Sequence, residues 1–331
     1  MSGYSAFDDR FTVCICAATK RGLRFITRLS ALLPDTNLVV CSFRESPEEP
    51  RFFDEIRAFA CGRKRTAFLE ARNTGSERHA TFWQTYPFDL LFAVSWRYMI
   101  PEHLYSRARL GAFVFHDSLL PEYRGFAPTV WAVVNGSDHT GATLFHIADE
   151  IDSGDIVDQE RVPIDRDDAI ADVMDRVTGA YLRLLERNLA SLIAGTAARR
   201  PQDPAGATYT CRRTPDDNYI DWRRNTSDIY NLIRGVTWPY PGAYTFLNGR
   251  ILRIWRARMP ELPQSWVGRI PGRVVAFREN EWARVLTGDG ALDLMEVQLQ
   301  DGPPVCAGSI LNSLNITLGT YPPAVGPNGR F

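Results

Sequence analysis

The sequence lacks the run of about 18 apolar residues that a membrane-spanning helix needs, so we expect no transmembrane segment. Its first ten residues are polar and lack the basic start and apolar middle of a signal peptide, which favours a cytoplasmic protein. It also lacks a charge excess, since 38 Lys and Arg face 39 Asp and Glu. This balance gives no broad field for nucleic acid or anionic membranes, and we expect neither as a partner.

Cysteine is scarce and its spacing does not suit a metal. The six cysteines form no CxxC pair and no Cys/His cluster with zinc spacing, so we expect no metal. Cys14, Cys16 and Cys41 lie inside apolar runs and are expected to be reduced core thiols. The phosphate-binding lysine motif and the GxSxG nucleophile elbow are absent. No GxGxxG follows the first strand; Lys20 and Arg21 stand there, either to reach a phosphate or as solvated charge.

The N-terminal part alternates short apolar runs with segments of helical periodicity. Helices are predicted at Arg21–Leu33, Glu49–Ala60 and Ser76–Thr85. The runs rich in β-forming residues are Phe11–Ala18, Asn37–Phe43, Arg65–Glu70, Phe88–Val94 and Gly111–His116. Strands that alternate with helices predict an α/β fold of Rossmann-like type, with a mostly parallel sheet and helices on both faces.

The rhythm changes further along the chain. A long amphipathic helix is predicted at Asp165–Ile193, and the polar, Gly- and Pro-rich Ala194–Tyr209 is the best linker candidate. A helix at Ser227–Gly235 precedes five short predicted strands, which favour a small β-barrel of OB-like type. The strands are Ala243–Asn248, Ile251–Ala257, Gly272–Arg278, Trp282–Thr287 and Ala291–Gln298. We therefore predict a catalytic domain at 1–200, and a linker helix with a barrel domain at 201–331.

The most informative stretch runs from Gly111 to Gln159. It contains His116-Asp117-Ser118-Leu119-Leu120-Pro121-Glu122-Tyr123-Arg124-Gly125, followed in order by Thr143, His146, Asp152 and Gly154. This ordered set resembles the folate-dependent formyltransferase family. Later segments, including Ile220-Asp221-Trp222 and Pro239-Tyr240-Pro241-Gly242-Ala243, are similar to the nucleotide-sugar N-formyltransferases. Within that branch the resemblance is nearest to the formyltransferase half of the bifunctional UDP-4-amino-4-deoxyarabinose enzyme.

Formyl transfer to an amine needs a group that takes the amine proton, a donor for the developing oxyanion, and a rigid pocket. His116 stands at the end of the fifth predicted strand, where ligands bind in open α/β sheets, and imidazole exchanges protons near neutral pH. Asp152 lies in a glycine-containing turn and could orient His116 or position a water. Alone, such a His or Asp is more often structural; the resemblance implies that both are catalytic.

One position departs from the family pattern. The resemblance places an Asn two residues before the catalytic His, and Val114 fills that position here. Valine has no hydrogen-bond donor, and losing one oxyanion donor typically lowers the rate about 10²- to 10³-fold. Three readings follow: another donor serves the oxyanion, the reaction differs (for example hydrolysis of the folate), or the protein binds ligand without catalysis.

The resemblance also implies the binding residues. The donor, 10-formyltetrahydrofolate, is expected against the loop after the fourth strand and a loop beginning near His146; the loop residues are alternatively packing residues. The expected acceptor is a nucleotide-linked amino sugar, at residues that could equally cap turns or form structural ion pairs. The donor-site residues are Ser95, Trp96, Arg97, Tyr98, Met99 and His146, and the acceptor-site residues are Ser118, Tyr123, Arg124, Gly125 and Thr143.

Other acceptors and a non-enzymatic role stay open at this point. A different small amine, of the N-hydroxyornithine type, would keep the same transfer. Methionyl-tRNA is disfavoured, because a tRNA partner favours a basic surface and the overall charge here is balanced. Val114 prompts the alternative of a catalytically impaired protein that binds a folate or a nucleotide sugar. The resemblance further implies a homodimer formed through the C-terminal half.

Overall fold

The computed structural model describes residues 7–8, 10–46, 49–262 and 264–319, and the structural statements below concern these residues. They form two compact units that interleave along the chain. One unit comprises the described residues up to Pro128, with Thr140–Pro163 and Met174–Cys211; the other comprises Thr129–His139, Ile164–Val173 and the residues from Arg212 onward. The domain ranges 1–200 and 201–331 stay a prediction, because compactness alone does not establish which segments fold independently.

The first unit is built on a seven-stranded sheet with the order β3-β2-β1-β4-β5-β7-β8. Strands β1 to β5 run parallel, whereas β7 is antiparallel to β5. The predicted fold class is confirmed here, and the five predicted strands are these five parallel strands. The strands are β1 (Thr12–Ala17), β2 (Asn37–Ser42), β3 (Thr66–Glu70), β4 (Leu90–Val94), β5 (Gly111–His116), β7 (His139–His146) and β8 (Ile156–Pro163). A separate pair joins β6 (Arg124–Gly125) to β9 (Tyr209–Thr210).

Helices cover both faces of this sheet because each buries one apolar stripe. Phe25 packs edge-on against Phe92 and Phe115 on one face, while Trp83 lies in a cluster with Ala93 on the other. The helices are α1 (Thr19–Leu32), α2 (Phe53–Gly62), α3 (Ala80–Thr85), α4 (Glu102–Tyr105), α5 (Pro128–Val134), α6 (Ile170–Ile193), α7 (Thr226–Val236) and α8 (Ala307–Ile310). In the described part of the chain, no helix combines the length and the apolar character needed to cross a bilayer.

The start of α6 corrects the sequence-based boundary by five residues. The backbone N–H of Asp165 donates to the carboxylate of Asp168, and the N–H of Asp168 donates back to the Asp165 carbonyl. These bonds close a tight turn ahead of the helix, so helical geometry begins at Ile170. Short Asp side chains compete for backbone groups in this way and are favoured before helices for that reason.

The three N-terminal cysteines meet because of sheet geometry. Cys14 and Cys16 are two apart on β1 and share a face, and Cys41 on β2 is the register partner of Cys16. All three are fully buried free thiols whose sulfur atoms lie within 4.8 Å of one another. Burial raises the pKa of the Cys14 and Cys41 thiols, so these two side chains pack as neutral core groups, as expected from their apolar surroundings.

The second unit contains an antiparallel sheet with the order β10-β11-β14-β13-β12, and β15 pairs with β14. Alternating burial along β10 and β11 places one face of each strand in the core. The strands are β10 (Ala243–Leu247), β11 (Arg250–Arg258), β12 (Val274–Arg278), β13 (Trp282–Leu286), β14 (Ala291–Leu299) and β15 (Val305–Cys306). The five predicted strands are present, whereas closure into an OB-like barrel stays a prediction.

Candidate active site

The carboxyl end of β5 carries the residues singled out as catalytic. Val114 and His116 are two apart, so their side chains share one face of the sheet. Val114 is in register with Ala93 of β4 and Phe145 of β7, and it packs against the small apolar cluster that contains Phe145. His116 is the last residue of the strand and is in register with Thr143. The strand therefore places the imidazole directly above the valine side chain.

His116 is held in one tautomer. Its Nε2 lies 2.9 Å from the carbonyl oxygen of Tyr123, and a carbonyl only accepts, so Nε2 carries the hydrogen and donates it. The neutral ring then has its lone pair on Nδ1, which lies 3.6 Å from Asp152 Oδ2. That gap is too long for a hydrogen bond but suits an ion pair once Nδ1 takes a proton. The arrangement is that of a base with a carboxylate ready to stabilise its protonated form.

Asp152 reaches His116 from a strained turn. Its φ is +51°, in the left-handed region, and its Oδ2 accepts a hydrogen bond of 2.8 Å from the backbone N–H of Gly125. Both partners of the pair are largely buried, with side chains 10% and 17% exposed for His116 and Asp152. The structure thus brings together His116, Asp152 and Gly125, as the sequence predicts.

The hydroxyls predicted at the acceptor site have partners within the protein. Thr143 Oγ1 donates to the Ser118 carbonyl at 2.6 Å and accepts from the Leu120 N–H at 3.1 Å and Gln159 Nε2 at 3.0 Å. Ser118 Oγ donates to the Glu122 carbonyl at 2.6 Å. Both side chains are buried, and both shape the loop that follows His116. The structure gives them a supporting role beside the site.

Arg124 also points into the protein. Its side chain is buried, and its Nε and Nη2 donate to Gln202 Oε1 at 3.2 and 2.7 Å. Its backbone lies in the β6–β9 pair, and the preceding Tyr123 N–H donates to Thr208 Oγ1 at 2.8 Å. Sequence reasoning missed Gln202, since it lies in the segment assigned as a linker and belongs to no recognisable pattern.

Asp117, next to His116, is fixed by the helix after β1. Its carboxylate accepts from Arg21 Nη1 at 2.5 Å and from the Tyr181 hydroxyl, while Arg21 Nε donates to Thr178 Oγ1 at 3.2 Å. Burial opposes the charge of Asp117, but the Arg21 guanidinium and the hydrogen bonds outweigh it and hold the pKa below the ordinary 3.8. Of the two roles left open for Arg21, the structure therefore shows neither: it is a buried ion-pair partner.

The loop after β4 forms an aromatic cluster with the residue that follows β2. The ring centroids of Trp96 and Tyr98 lie 5.2 and 4.9 Å from that of Phe43, edge to face. Arg97 pairs with Glu49 at 2.6 Å, and its guanidinium lies over the Phe43 ring. Among the other predicted donor residues, Ser95 has a φ of +52° and Met99 is exposed. The loop offers an apolar, aromatic surface with one cation fixed beside it.

A cavity of about 620 Å³ lies at the carboxyl ends of β2 and β3 and shares Phe43 with the aromatic cluster. Three arginines and one carboxylate line it, so its charge favours an anion. Burial and the neighbouring Arg78 lower the pKa of His79, which is therefore neutral at pH 7. The lining residues are Phe43, Arg44, Glu70, Ala71, Arg72, Arg78 and His79.

His146 does not join the other predicted donor residues. It is the register partner of Phe113 and stacks on that ring at 4.8 Å, so it faces the opposite side of the sheet from His116. Its Nε2 donates to the Ala198 carbonyl at 3.0 Å and its Nδ1 accepts from Arg199 at 3.1 Å. Burial lowers its pKa and keeps the ring neutral. Period-two alternation could have flagged this, because an odd number of residues separates it from Phe145 across the strand pair.

Comparison with known proteins matches both parts of the chain to one family. Residues 39–189 match the family model described as formyl transferase, and residues 212–315 match the formyl transferase C-terminal domain. The N-formyltransferase of Helicobacter canadensis, solved with folinic acid and dTDP-3-aminofucose, has a TM-score of 0.64 at 17% identity, covering 87% of this chain and 99% of that one.

Two further structures share the fold. HypX from Aquifex aeolicus, solved with tetrahydrofolic acid, has a TM-score of 0.62 at 17% identity over 92% of this chain. This chain covers 47% of that protein and so spans about half the length of the HypX chains it matches. The methionyl-tRNA formyltransferase of Clostridium thermocellum has a TM-score of 0.54 at 15% identity, covering 76% of this chain and 94% of that one. At such identities the likeness establishes the fold alone.

Proposed function

Because the chain belongs to the formyl transferase family, we propose that it transfers a formyl group from 10-formyltetrahydrofolate to the amine of a nucleotide-linked amino sugar. The observation that carries the proposal is the His116–Asp152 pair, with Nδ1 and Oδ2 3.6 Å apart at the carboxyl end of β5. A base with a fixed tautomer and a carboxylate behind it meets the main chemical need of amine acylation.

The proposed reaction follows from that geometry. The acceptor nitrogen attacks the formyl carbon, and a tetrahedral intermediate forms with charge on the formyl oxygen. His116 Nδ1 takes the proton of the attacking amine, and the Asp152 carboxylate stabilises the resulting imidazolium. The bond between the carbon and N10 of the folate then breaks, N10 receives a proton from the imidazolium, and tetrahydrofolate leaves.

Val114 sets the weak point of this mechanism. It faces the same side as His116 but offers only methyl groups, and it packs against the apolar cluster of Leu120, Phe145 and Ile156. The oxyanion must therefore be stabilised by another donor, such as a backbone N–H, a water or His116 itself. Without one, hydrolysis of the folate or binding without turnover becomes the function, and these are the two alternatives that an experiment must separate.

The donor would lie along the aromatic cluster and the arginine-lined cavity. HypX and the Helicobacter enzyme bind tetrahydrofolate and folinic acid. A reduced folate has a flat pterin at one end and glutamate carboxylates at the other. The pterin suits the surface of Phe43, Trp96 and Tyr98, and the carboxylates suit Arg72 and Arg78.

The acceptor class rests on likeness to relatives and on charge. The Helicobacter enzyme binds dTDP-3-aminofucose, which supports an amino sugar. The Clostridium relative acts on methionyl-tRNA by name, but the balanced charge of this chain does not favour a tRNA. An N-hydroxyornithine-type amine is the remaining small acceptor. A homodimer in the cytoplasm is part of the same proposal.

The test measures tetrahydrofolate release from 10-formyltetrahydrofolate with a panel of acceptors. The panel holds UDP-, dTDP- and GDP-linked amino sugars, N-hydroxyornithine and methionyl-tRNA. Release with one amino sugar, and the mass of its formamide, supports the proposal. Release with another member of the panel transfers the proposal to that acceptor class. Release without acceptor indicates a hydrolase, and folate binding without release contradicts catalysis.

A further inference from the structure

The turn that carries Asp152 needs support from its surroundings. Asp152 has a φ of +51°, and left-handed backbone costs a residue with a Cβ about 1–2 kcal/mol. Such a conformation persists only where neighbouring groups impose it. Gln202 supplies two of those groups: its Nε2 donates to the carbonyl oxygens of Asp152 at 2.8 Å and Gly154 at 2.7 Å. One amide thus holds the turn on both sides of Ser153.

The other end of the same amide is anchored on Arg124. Gln202 Oε1 accepts from Nε and Nη2 of the buried guanidinium at 3.2 and 2.7 Å. Both N–H groups and both lone pairs of the amide are therefore used. Glutamate at this position would turn lone pairs toward two carbonyl oxygens, and leucine would leave all four partners unpaired. The site is specific for a carboxamide.

These bonds close a ring around the catalytic carboxylate. Arg124 and Gly125 are consecutive, and the Gly125 N–H donates to Asp152 Oδ2 at 2.8 Å. The same Oδ2 lies 3.6 Å from His116 Nδ1. Loss of the Gln202 amide would release the turn from one side and Arg124 from the other, and the carboxylate opposite His116 would move.

Resting on the formyl transfer proposed above, we propose that Gln202 is a positioning residue that bridges Arg124 to the Asp152 turn and so fixes the carboxylate against His116 during proton transfer. Gln202 contacts neither the imidazole nor the Asp152 carboxylate by any bond described above. It acts through Asp152, and its loss should resemble misplacement of that residue.

Kinetics of Gln202→Leu give the first test. We expect kcat to fall about 10- to 10²-fold with the KM for the folate donor within about twofold, because proton-transfer geometry is lost while the donor surface is untouched. Gln202→Glu should fall similarly. In an Asp152→Asn background the leucine variant should lower kcat no further. Gln298→Leu in the second unit, where the amide also bonds to Trp255 and Gly302, is the matched control and should stay within about twofold of wild type.

Amide hydrogen exchange resolved by residue gives a test that does not need turnover. In Gln202→Leu the Gly125 N–H, bonded to Asp152, should exchange at least about tenfold faster. The Arg124 and Phe126 N–H groups, bonded to the Thr208 and Thr210 carbonyls, serve as internal controls and should not change. Unchanged exchange at Gly125, equal acceleration of all three, or additive loss of kcat with Asp152→Asn would overturn the inference. If wild type shows no transfer at all, the proposed function fails, and exchange at Gly125 still decides the role of Gln202.

Discussion

Val114 and His116 act on the same small space, since both side chains leave β5 on one face. Asparagine is close to valine in volume, so Val114→Asn adds a donor with little change in packing. We expect kcat for the amino sugar to rise, by up to about 10²-fold where no other group serves the oxyanion. Val114→Ala removes methyl groups without adding a donor and should give no gain. A failure of the Asn variant to gain would show that the oxyanion lies elsewhere.

Asp117 illustrates how one buried carboxylate couples to pH. Its pKa is held below 3.8 mainly by Arg21 against the opposing effect of burial, so its contribution to stability is complete above that value and lost as the pH falls through the lowered pKa. Asp117→Asn should destabilise the protein by about 1.5–3 kcal/mol at neutral pH, and the difference from wild type should shrink below about pH 4. Urea unfolding across pH measures it.

The same two helices provide the control for that experiment. Asp175 pairs with Arg24 on the surface, with side chains 63% and 37% exposed. Asp175→Asn should change the free energy of unfolding by less than about 1 kcal/mol, because exposed ion pairs contribute little. An Asp117→Asn variant as stable as the Asp175→Asn variant would contradict the role given to the Arg21–Asp117 pair.

At the scale of elements, the short β6–β9 pair depends on Gly125. Its φ is +107°, and a Cβ there would lie 2.6 Å from the Thr210 carbonyl oxygen. Gly125→Ala should therefore separate the pair, withdraw the N–H from Asp152, lower the free energy of unfolding by about 1–3 kcal/mol and lower kcat. Gly62→Ala is the matched control: nothing lies within 4 Å of its Cβ, and alanine favours α2. Thermal unfolding and initial rates distinguish the two variants.

The elements also show how far sequence reasoning reaches. The parallel strands were predictable because strands buried on both faces read as continuous apolar runs. The short β6 and β9 were not, since two-residue strands carry no periodicity, and neither was Gln202, whose role depends on a contact with Arg124 across 78 positions. His146 was assigned by its place in the motif, although alternation along β7 puts it on the other face. Local patterns are thus recoverable, whereas contacts between distant loops are not.

Across the whole chain, the charge balance and the family match together favour a small, anionic acceptor. Formal charges nearly cancel, so no broad field attracts a polyanion, and the arginines lining the cavity act locally. We therefore expect Arg72→Ala with Arg78→Ala to raise the KM of the folate donor several-fold while kcat stays near wild type, since uniform binding alone is lost. A fall in kcat with unchanged KM would place these arginines elsewhere in the reaction.

The most direct measurement follows the formyl carbon itself. 10-Formyltetrahydrofolate labelled with ¹³C in the formyl group would be mixed with wild type or His116→Gln and the amino-sugar panel, and the label followed by NMR. The account predicts a labelled formamide on one amino sugar, formed about 10²- to 10⁴-fold more slowly by the variant, with donor binding retained. Label appearing only as formate, label staying on the folate, or equal rates for the two proteins would contradict it.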